Sequence, residues 1–185
     1  GTQSAYIGAL DDRILAAAPE CYITSFIRLL QSIGPQDAEQ NFYHGIKYQI
    51  DQADLLEQRV PKPTMVVTTT RDIFSIQGAR ETAREVENVY TIFGKPGNFD
   101  LIEDDAPHAS TLKNRERKYT FFRQHFNLPG STADVAVDYL TPEELTVTDT
   151  GQVLTSLDGR STFQINMQRA EKHLKAIENR RKANS

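Results

Sequence analysis

The sequence predicts an α/β fold in which helices cover both faces of a parallel β-sheet. In the centre of the chain, short apolar runs alternate with longer segments whose apolar residues recur at helical spacing. This order of strand, helix, strand and helix is typical of parallel sheets, because a parallel connection needs a crossover segment. Apolar residues make up 38% of the 185-residue chain, which is enough for a buried core.

Two strands and two helices carry this prediction. Residues 64–68 follow the helix-breaking Pro61-Lys62-Pro63 and predict a buried strand, and residues 99–102 follow the turn at 95–98 and predict another. A helical pattern follows each run, and Gly94 is placed to end the first helix. The apolar positions are Ala79, Ala83, Val86, Tyr90 and Phe93 in the first helix and Leu112, Tyr119, Phe122 and Phe126 in the second.

The first sixty residues predict further elements of the same domain. Small residues near the start indicate a helix that packs closely on its neighbour, because small side chains let backbones approach. The predicted elements are, in order, a helix end at residues 5–10, a buried strand at 14–18 closed by Pro19, a helix at 24–30 capped by Thr24, a turn at 34–37, and a helix through Ile46, Ile50, Ala53 and Leu56.

The character of the sequence changes after Leu128. Residues 129–140 have the composition of a linker. Residues 145–147 and 153–157 predict two short strands joined by the hairpin turn Asp149-Thr150-Gly151. The predicted fold class is therefore α/β, a parallel sheet with flanking helices that is followed by a short hairpin and helix.

A last helix is predicted at the C-terminal end. Ser161 and Gln164 have the spacing of a capping box, and a narrow apolar stripe follows them. The stripe consists of Met167, Ala170, Leu174 and Ile177. We expect three regions: an α/β domain at 1–128, a linker at 129–140, and 141–185 as the start of a second module or a tail that packs on the first domain.

Composition excludes several functional classes. The net charge is −4 and the basic residues are scattered, which argues against nucleic acid or an anionic membrane as the main partner. One cysteine excludes an internal disulfide framework. No apolar run approaches the roughly 18 residues of a membrane span.

Two ionisable residues follow successive predicted strands. Asp72 lies in the loop after the first strand, in TTTRDIFSIQG, and His108 lies after the second, in EDDAPHAS. Ligands of open α/β sheets bind beyond the carboxyl ends of the strands. An acid that orients a histidine base is what nucleophilic hydrolysis requires. Each residue alone is more often a cap or a solvated loop residue; their joint placement favours a catalytic pair.

No nucleophile is apparent in the sequence. No serine has glycine both two residues before and two residues after it, the pattern of a nucleophile elbow. Ser4 is interpreted as a structural residue of a helix, and Cys21 as a buried, inert thiol. Asp51 and Asp54 are interpreted as a solvated helix face rather than a metal site. Neither a cofactor nor a metal is expected.

The segment GTQSAYIGALDDRILAAAPECYITS resembles the region after the nucleophile elbow in bacterial acetyl xylan esterase-like α/β hydrolases, relatives of the prolyl oligopeptidase superfamily. The resemblance implies that Gly1 corresponds to the last glycine of the elbow and that the nucleophilic serine precedes it. TTTRDIFSIQGARET resembles the family's acid loop and places the acid at Asp72. LIEDDAPHAS resembles its histidine loop and places the base at His108, although Ala109 stands where the family often has a glycine.

The resemblance covers residues 1–128 best, while TPEELTVTDTGQVLTSLDG resembles the junction to a second module more weakly. It implies a secreted or periplasmic serine-type ester hydrolase that deacetylates plant-type polysaccharides. The implied partners are an acylated polysaccharide or oligosaccharide and the N-terminal half of the hydrolase domain, with a homo-oligomer as a further expectation. A peptidase of the prolyl oligopeptidase type and a non-catalytic binding or assembly module remain alternatives.

Overall fold

The structure is a computed structural model that describes residues 1–32, 34, 36–37 and 40–183. Pro35, within the turn predicted at 34–37, lies outside the described residues. The chain forms two compact units, Gly1–Val135 and Ala136–Ser185. Within the described residues, no helix has the length and apolar character that crossing a membrane requires.

The first unit is built around a parallel sheet. Strands β1 (Thr64–Thr69) and β2 (Phe99–Asp104) pair in parallel, with Thr64 opposite Phe99 and Thr69 opposite Asp104. Every residue of β1 is buried. The predicted parallel strand pair is confirmed, and both strands extend slightly beyond the predicted bounds.

An extended segment lies along the other edge of β1. Ala17 and Glu20 form isolated parallel bridges with Thr64 and Val67. Backbone hydrogen bonds to β1 continue as far as Cys21. The strand predicted at 14–18 is thus displaced toward 17–21 and interrupted, because Pro19 has no N–H to donate to β1.

Helices cover both faces of the sheet, as predicted. Val66 packs in one apolar cluster with Val86 and Tyr90 of α4 (Ile76–Ile92), while its neighbours Met65 and Val67 pack in another with Phe121 of α5 (Leu112–Phe126). Successive side chains of a strand point to opposite faces, so the two clusters lie on opposite sides of β1.

The bounds of α4 and α5 follow from their caps. Ser75 accepts a hydrogen bond from the N–H of Gly78 at the start of α4, and Thr111 does the same for Asn114 at the start of α5. Gly94 follows α4 with φ 68°, a left-handed conformation that glycine adopts without strain. The sequence predicted both helices and the glycine stop.

Helix α1 (Thr2–Leu10) packs closely, as its small residues predicted. A Cβ added to Gly8 would lie 2.8 Å from the guanidinium of Arg59. Arg59 is fully buried and donates to the Gly8 carbonyl at 2.6 Å, the Thr64 hydroxyl at 2.8 Å and the Pro63 carbonyl at 3.2 Å. This side chain therefore joins α1 to the start of β1.

The region between α1 and β1 differs from the prediction in two details. Helix α2 spans Phe26–Ser32, and the Thr24 hydroxyl donates to the Ser75 carbonyl instead of capping the helix. The single helix expected from Ile46 to Leu56 is divided into a 3₁₀ turn, Ile46–Tyr48, and helix α3, Gln52–Glu57. Gln49 is left-handed between them, and Asp51 with Asp54 forms the capping box of α3. These two carboxylates therefore start a helix, with Asp54 exposed and Asp51 half-buried.

The second unit is entirely helical in its regular structure. It contains α6 (Pro142–Leu145), α7 (Val153–Ser156) and the long α8 (Thr162–Ala183). No described residue from 136 to 183 is buried.

The predicted β-hairpin at 145–157 is therefore wrong. Helix α7 lies where the second strand was expected, and α6, which Pro142 and the capping box of Thr141 with Glu144 start, ends at Leu145, the first residue of the other expected strand. A two-stranded hairpin without a third strand is at best marginally stable in water. The predicted capping box of Ser161 and Gln164 is confirmed, with hydrogen bonds of 2.8 and 3.2 Å.

Candidate active site

Three chain segments end at the same edge of the sheet. The extended segment leads into Cys21, β1 leads into the loop of Asp72, and β2 leads into the loop of His108. One sulfur, oxygen or nitrogen atom from each of these three residues lies within 4.8 Å of the other two. The structure thus brings together the two residues that the sequence singled out, and adds a third.

The pair of Asp72 and His108 has the geometry of an acid and a base. The Nδ1 atom of His108 lies 3.0 Å from each carboxylate oxygen of Asp72. The Asp72 side chain is 2% exposed, whereas the His108 side chain is 57% exposed. A buried carboxylate therefore contacts the Nδ1 atom, while more than half of the His108 side chain is exposed to solvent.

Two further hydrogen bonds hold the Asp72 carboxylate in place. The Thr69 hydroxyl donates to Oδ2 at 3.1 Å, and the N–H of Phe74 donates to Oδ1 at 3.2 Å. The ring of Phe74 also lies beside the His108 ring, with 6.0 Å between centroids. Each carboxylate oxygen thus has a partner besides His108, which fixes the orientation of the acid.

The acid loop and the histidine loop are bound to each other. The N–H of Arg71 donates to the Ala106 carbonyl at 3.0 Å, and the Thr70 hydroxyl donates to the Asp105 carboxylate at 2.6 Å. The Thr70 hydroxyl, followed by the charge of Arg71, lowers the pKa of Asp105. Asp105 therefore joins the two loops.

Helix α5 is anchored to the same edge of the sheet. The side-chain amide of the buried Asn114 donates to the Thr68 carbonyl at 3.0 Å. Lys118 forms a salt bridge of 2.5 Å with Glu20. The helix that follows the His108 loop is therefore bonded to β1 and to the extended segment, which limits movement of the loop.

Cys21 is buried, as predicted, but it is not remote from the pair. Its sulfur lies 3.7 Å from the Thr69 hydroxyl and donates to the Ala109 carbonyl at 3.6 Å. Its φ of 50° is uncommon for a residue other than glycine. Burial, and to a smaller extent the Asp72 carboxylate, raises the pKa of the thiol. A protonated thiol is a weak nucleophile, in agreement with the interpretation from the sequence.

Sequence reasoning missed that Cys21 lies beside the pair. The same argument that selected Asp72 and His108 applies to it, because Cys21 directly follows a segment that runs parallel to β1.

The other residues considered from the sequence lie away from the pair. Ser4 is exposed on α1, and within the described residues no hydrogen bond joins a serine to His108. Tyr43 and His44 are an exposed pair with ring centroids 3.8 Å apart. A cavity of about 640 Å³ lies between α1 and α3 and does not include Asp72 or His108.

The start of α1 packs against the segment that carries Cys21. A Cβ added to Gly1 would lie 2.3 Å from both the Glu20 carbonyl and the Tyr22 Cβ, so only glycine fits this approach. The N-terminal end of α1, the positive end of its dipole, therefore lies next to the segment that borders Asp72 and His108.

The chain is similar to solved structures of carbohydrate esterases. A carbohydrate esterase family 15 glucuronoyl esterase from Caldicellulosiruptor kristjansonii matches with a TM-score of 0.54 and 16% identity, over 76% of this chain and 45% of that one. The glucuronoyl esterase catalytic domain from Hypocrea jecorina matches with a TM-score of 0.55 and 13% identity, over 79% and 47%. A methylesterase matches with a TM-score of 0.54 and 19% identity, over 72% and 29%.

These matches show the fold. The described chain corresponds to part of the α/β-hydrolase fold of these esterases and spans less than half the length of each. The predicted fold class is thereby confirmed, apart from the hairpin. No family model and no curated protein matches the sequence.

Proposed function

We propose that the chain supplies the acid and the base of a serine-type carboxylic ester hydrolase that acts on esterified carbohydrates. The observation that carries this proposal is the contact of His108 Nδ1 with both oxygens of the buried Asp72 carboxylate. The similarity of the fold to carbohydrate esterases supports the substrate class.

In the proposed mechanism Asp72 and His108 act as one unit. An N–H at Nδ1 donates to Asp72, which leaves the Nε2 lone pair free to take a proton from a nucleophile. The carboxylate then stabilises the imidazolium, and His108 returns the proton to the leaving alcohol. The buried acid and the exposed base suit these roles, because only the base must reach the substrate.

The proposed nucleophile is a serine that precedes Gly1, as the resemblance to acetyl xylan esterase-like hydrolases implies. The close packing of Gly1 against Glu20 and Tyr22 supports this, because it places a residue that precedes α1 beside the sheet edge that carries Asp72 and His108. The helix N-terminus would also stabilise the oxyanion that forms when the serine attacks. By itself, the present chain is expected to be nearly inactive.

Two ester classes are candidates for the substrate. The sequence resemblance favours an acetyl group on a polysaccharide hydroxyl. The solved glucuronoyl esterases and the methylesterase favour an ester of a sugar carboxylate, in which the sugar provides the acyl group. We propose the acetylated polysaccharide as the first candidate and the methyl ester of a glucuronic acid as the second.

We also propose the domain organisation expected from the sequence. Residues 1–128 would belong to the hydrolase domain, 129–140 would be a linker, and 141–185 would begin a second module or pack on the first. The N-terminal half of the hydrolase domain would be an obligatory partner, since it would supply the serine.

The decisive experiment measures ester hydrolysis by the protein that includes the segment before Gly1. Asp72→Asn should lower kcat at least about 100-fold, because it removes the charge that orients His108 and stabilises its imidazolium, and His108→Ala should lower kcat at least about 1,000-fold, because it removes the base. Asp149→Asn and His173→Ala, two exposed substitutions in the second unit, are matched controls and should leave kcat unchanged. Unaltered hydrolysis in both Asp72→Asn and His108→Ala would contradict the proposal.

Substrate choice separates the alternatives. Acetylated xylo-oligosaccharide, the methyl ester of glucuronic acid and a dipeptidyl amide should be compared in the same assay. Preference for the amide would establish the peptidase alternative. A folded protein that turns over none of the three, and takes up no fluorophosphonate as judged by intact mass, would establish the non-catalytic alternative.

A further inference from the structure

The thiol of Cys21 lies within reach of both members of the proposed catalytic pair. Its sulfur, a nitrogen of His108 and an oxygen of Asp72 are mutually within 4.8 Å. Thiolate, imidazole and carboxylate are the three ligand types that zinc prefers in proteins. A hard cation such as Mg²⁺ would not select a sulfur-containing set.

We infer that Cys21, Asp72 and His108 form a binding site for one zinc-like divalent cation. Three protein ligands and an open fourth position are the arrangement of a solvent-accessible tetrahedral zinc site. This inference goes beyond the proposed function. Binding of the ion does not depend on whether the chain takes part in ester hydrolysis.

The distances require only a small adjustment. Ligand atoms bound to one tetrahedral zinc ion lie about 3.4–3.6 Å apart, given Zn–S, Zn–N and Zn–O bonds of about 2.0–2.3 Å. The three ligand atoms lie within 4.8 Å of one another in this structure, so binding requires them to approach by about 1 Å. His108 is the ligand that can move, since its side chain is more than half exposed. The same exposed side gives the ion a path to the site.

Hydrogen bonds from neighbouring residues already orient the ligand side chains. The Thr69 hydroxyl donates to Asp72 at 3.1 Å and lies 3.7 Å from the Cys21 sulfur, so it borders two of the three ligands. The Phe74 N–H holds the other carboxylate oxygen at 3.2 Å. Such contacts orient metal ligands and raise the affinity of a site.

Binding is an exchange of a proton for a metal ion. The Cys21 S–H bond breaks, its electron pair forms the metal–sulfur bond, and the proton passes to solvent, with no change of oxidation state. The ion also takes a nitrogen lone pair of His108 and a carboxylate oxygen of Asp72. If the proposed function holds, an occupied site leaves no base for the nucleophile, and zinc is an inhibitor of the esterase.

Cobalt is the probe for this site because Co²⁺ bound to thiolate absorbs in the near ultraviolet. Cys21 is the single cysteine of the chain, so such a band reports on this residue alone. Titration of the chain with Co²⁺ should produce a thiolate charge-transfer band that saturates at one ion per chain. Zn²⁺ should displace the band at a concentration at least tenfold lower than that of Co²⁺, whereas Mg²⁺ in hundredfold excess should not.

Substitutions assign the ligands. Cys21→Ala should abolish the band, and His108→Ala and Asp72→Asn should each weaken Co²⁺ binding at least tenfold. His173→Ala, an exposed histidine in the second unit, should leave binding unchanged. Circular dichroism checks that each variant is folded; His108→Ala, at an exposed position, keeps the test valid if Cys21→Ala does not fold.

Two results would overturn the inference. One is a folded wild-type chain that shows no charge-transfer band at millimolar Co²⁺. The other is full Co²⁺ affinity in both His108→Ala and Asp72→Asn, which would mean that the thiol binds metal without them. Because the readout is an absorption band, a failed esterase assay does not affect it.

Discussion

The two units of the chain differ in the burial of the apolar residues that line one side of their long helices. In the first unit the apolar face of α4 packs on β1, and Val86 and Tyr90 are completely buried. In the second unit α8 carries a narrower apolar stripe at the same helical spacing, and its residues Met167, Leu174 and Ile177 are all at least 42% exposed. The same sequence pattern therefore predicts a helix in both places but predicts burial only where a sheet lies against it. Apolar residues at helical spacing predict a helix, whereas burial of those residues also requires a second apolar surface against which they pack.

The largest effect is expected from a core leucine of the first unit. Leu56 of α3 is fully buried in the main apolar cluster. Leu56→Ala should lower the free energy of unfolding by about 3 kcal/mol, because it removes buried methyl groups and leaves a cavity. Urea unfolding followed by circular dichroism measures this, and a loss below about 1 kcal/mol would mean that the cluster is loosely packed.

A smaller effect is expected where α4 approaches the segment before α2. A Cβ added to Gly78 would lie 2.2 Å from the Thr24 hydroxyl, whose hydrogen bond to the Ser75 carbonyl holds it in place. Overpacking costs about 1–3 kcal/mol, and the better helix propensity of alanine offsets up to about 1 kcal/mol. Gly78→Ala should therefore lower the free energy of unfolding by about 1–2 kcal/mol.

The control for this substitution is Gly97→Ala, because nothing lies within 4 Å of a Cβ at Gly97. Its free energy of unfolding should remain close to that of the wild type. Removing the hydroxyl with Thr24→Ala should make Gly78→Ala less harmful in a double-mutant cycle. Purely additive effects would show that the Thr24 hydroxyl is not the obstacle.

A pH-dependent contribution is expected from the salt bridge between α4 and β2. Arg80 donates to both oxygens of Glu103, at 2.7 and 2.6 Å, and these bonds lower the pKa of Glu103 below its ordinary value of 4.5. The charged form is thus favoured in the folded state. The stabilisation is present above pH 4.5 and is lost as the pH falls through the lowered pKa.

Glu103→Gln tests this contribution. The variant should be less stable than the wild type at pH 7, and the difference should shrink as the pH is lowered below 4.5. Unfolding is measured for both proteins across this range. A difference that does not change with pH would show that packing, rather than charge, is affected.

The smallest effect is expected in α8. Leu174 is 59% exposed, and leucine and alanine both favour helices. Leu174→Ala should change the free energy of unfolding by less than about 0.5 kcal/mol, in contrast to the same substitution at Leu56. A loss comparable to that of Leu56→Ala would remove the distinction between the two units and show that the stripe of α8 is covered in solution.

Local patterns predicted the elements that are determined by local contacts. Strands β1 and β2, helices α4 and α5, and the capping box at Ser161 depend on alternation, periodicity and caps within a few residues. Asp72 and His108 were predicted to meet because the carboxyl ends of parallel strands lie at one edge. Their role in catalysis stays a prediction.

Features that depend on distant contacts were not predictable in the same way. Thr24 resembles a cap in the sequence, but its hydroxyl bonds to Ser75, 51 residues away. The hairpin at 145–157 was expected from short β-branched runs, which favour strands only when a sheet is present to receive them.

The buried Arg59 has a consequence for the end of α1 farthest from it. Its guanidinium is bonded to the Gly8 carbonyl near the last turn of α1, and Gly1 packs against Glu20 and Tyr22 at the other end. A nine-residue helix is a rigid rod about 13 Å long, so these two attachments fix its tilt. An error of a few degrees introduced at Arg59 would displace the residue before α1 by a fraction of an ångström to an ångström. If the proposed serine precedes α1, its alignment with His108 is controlled from the opposite end of the helix, by the buried side chain of Arg59.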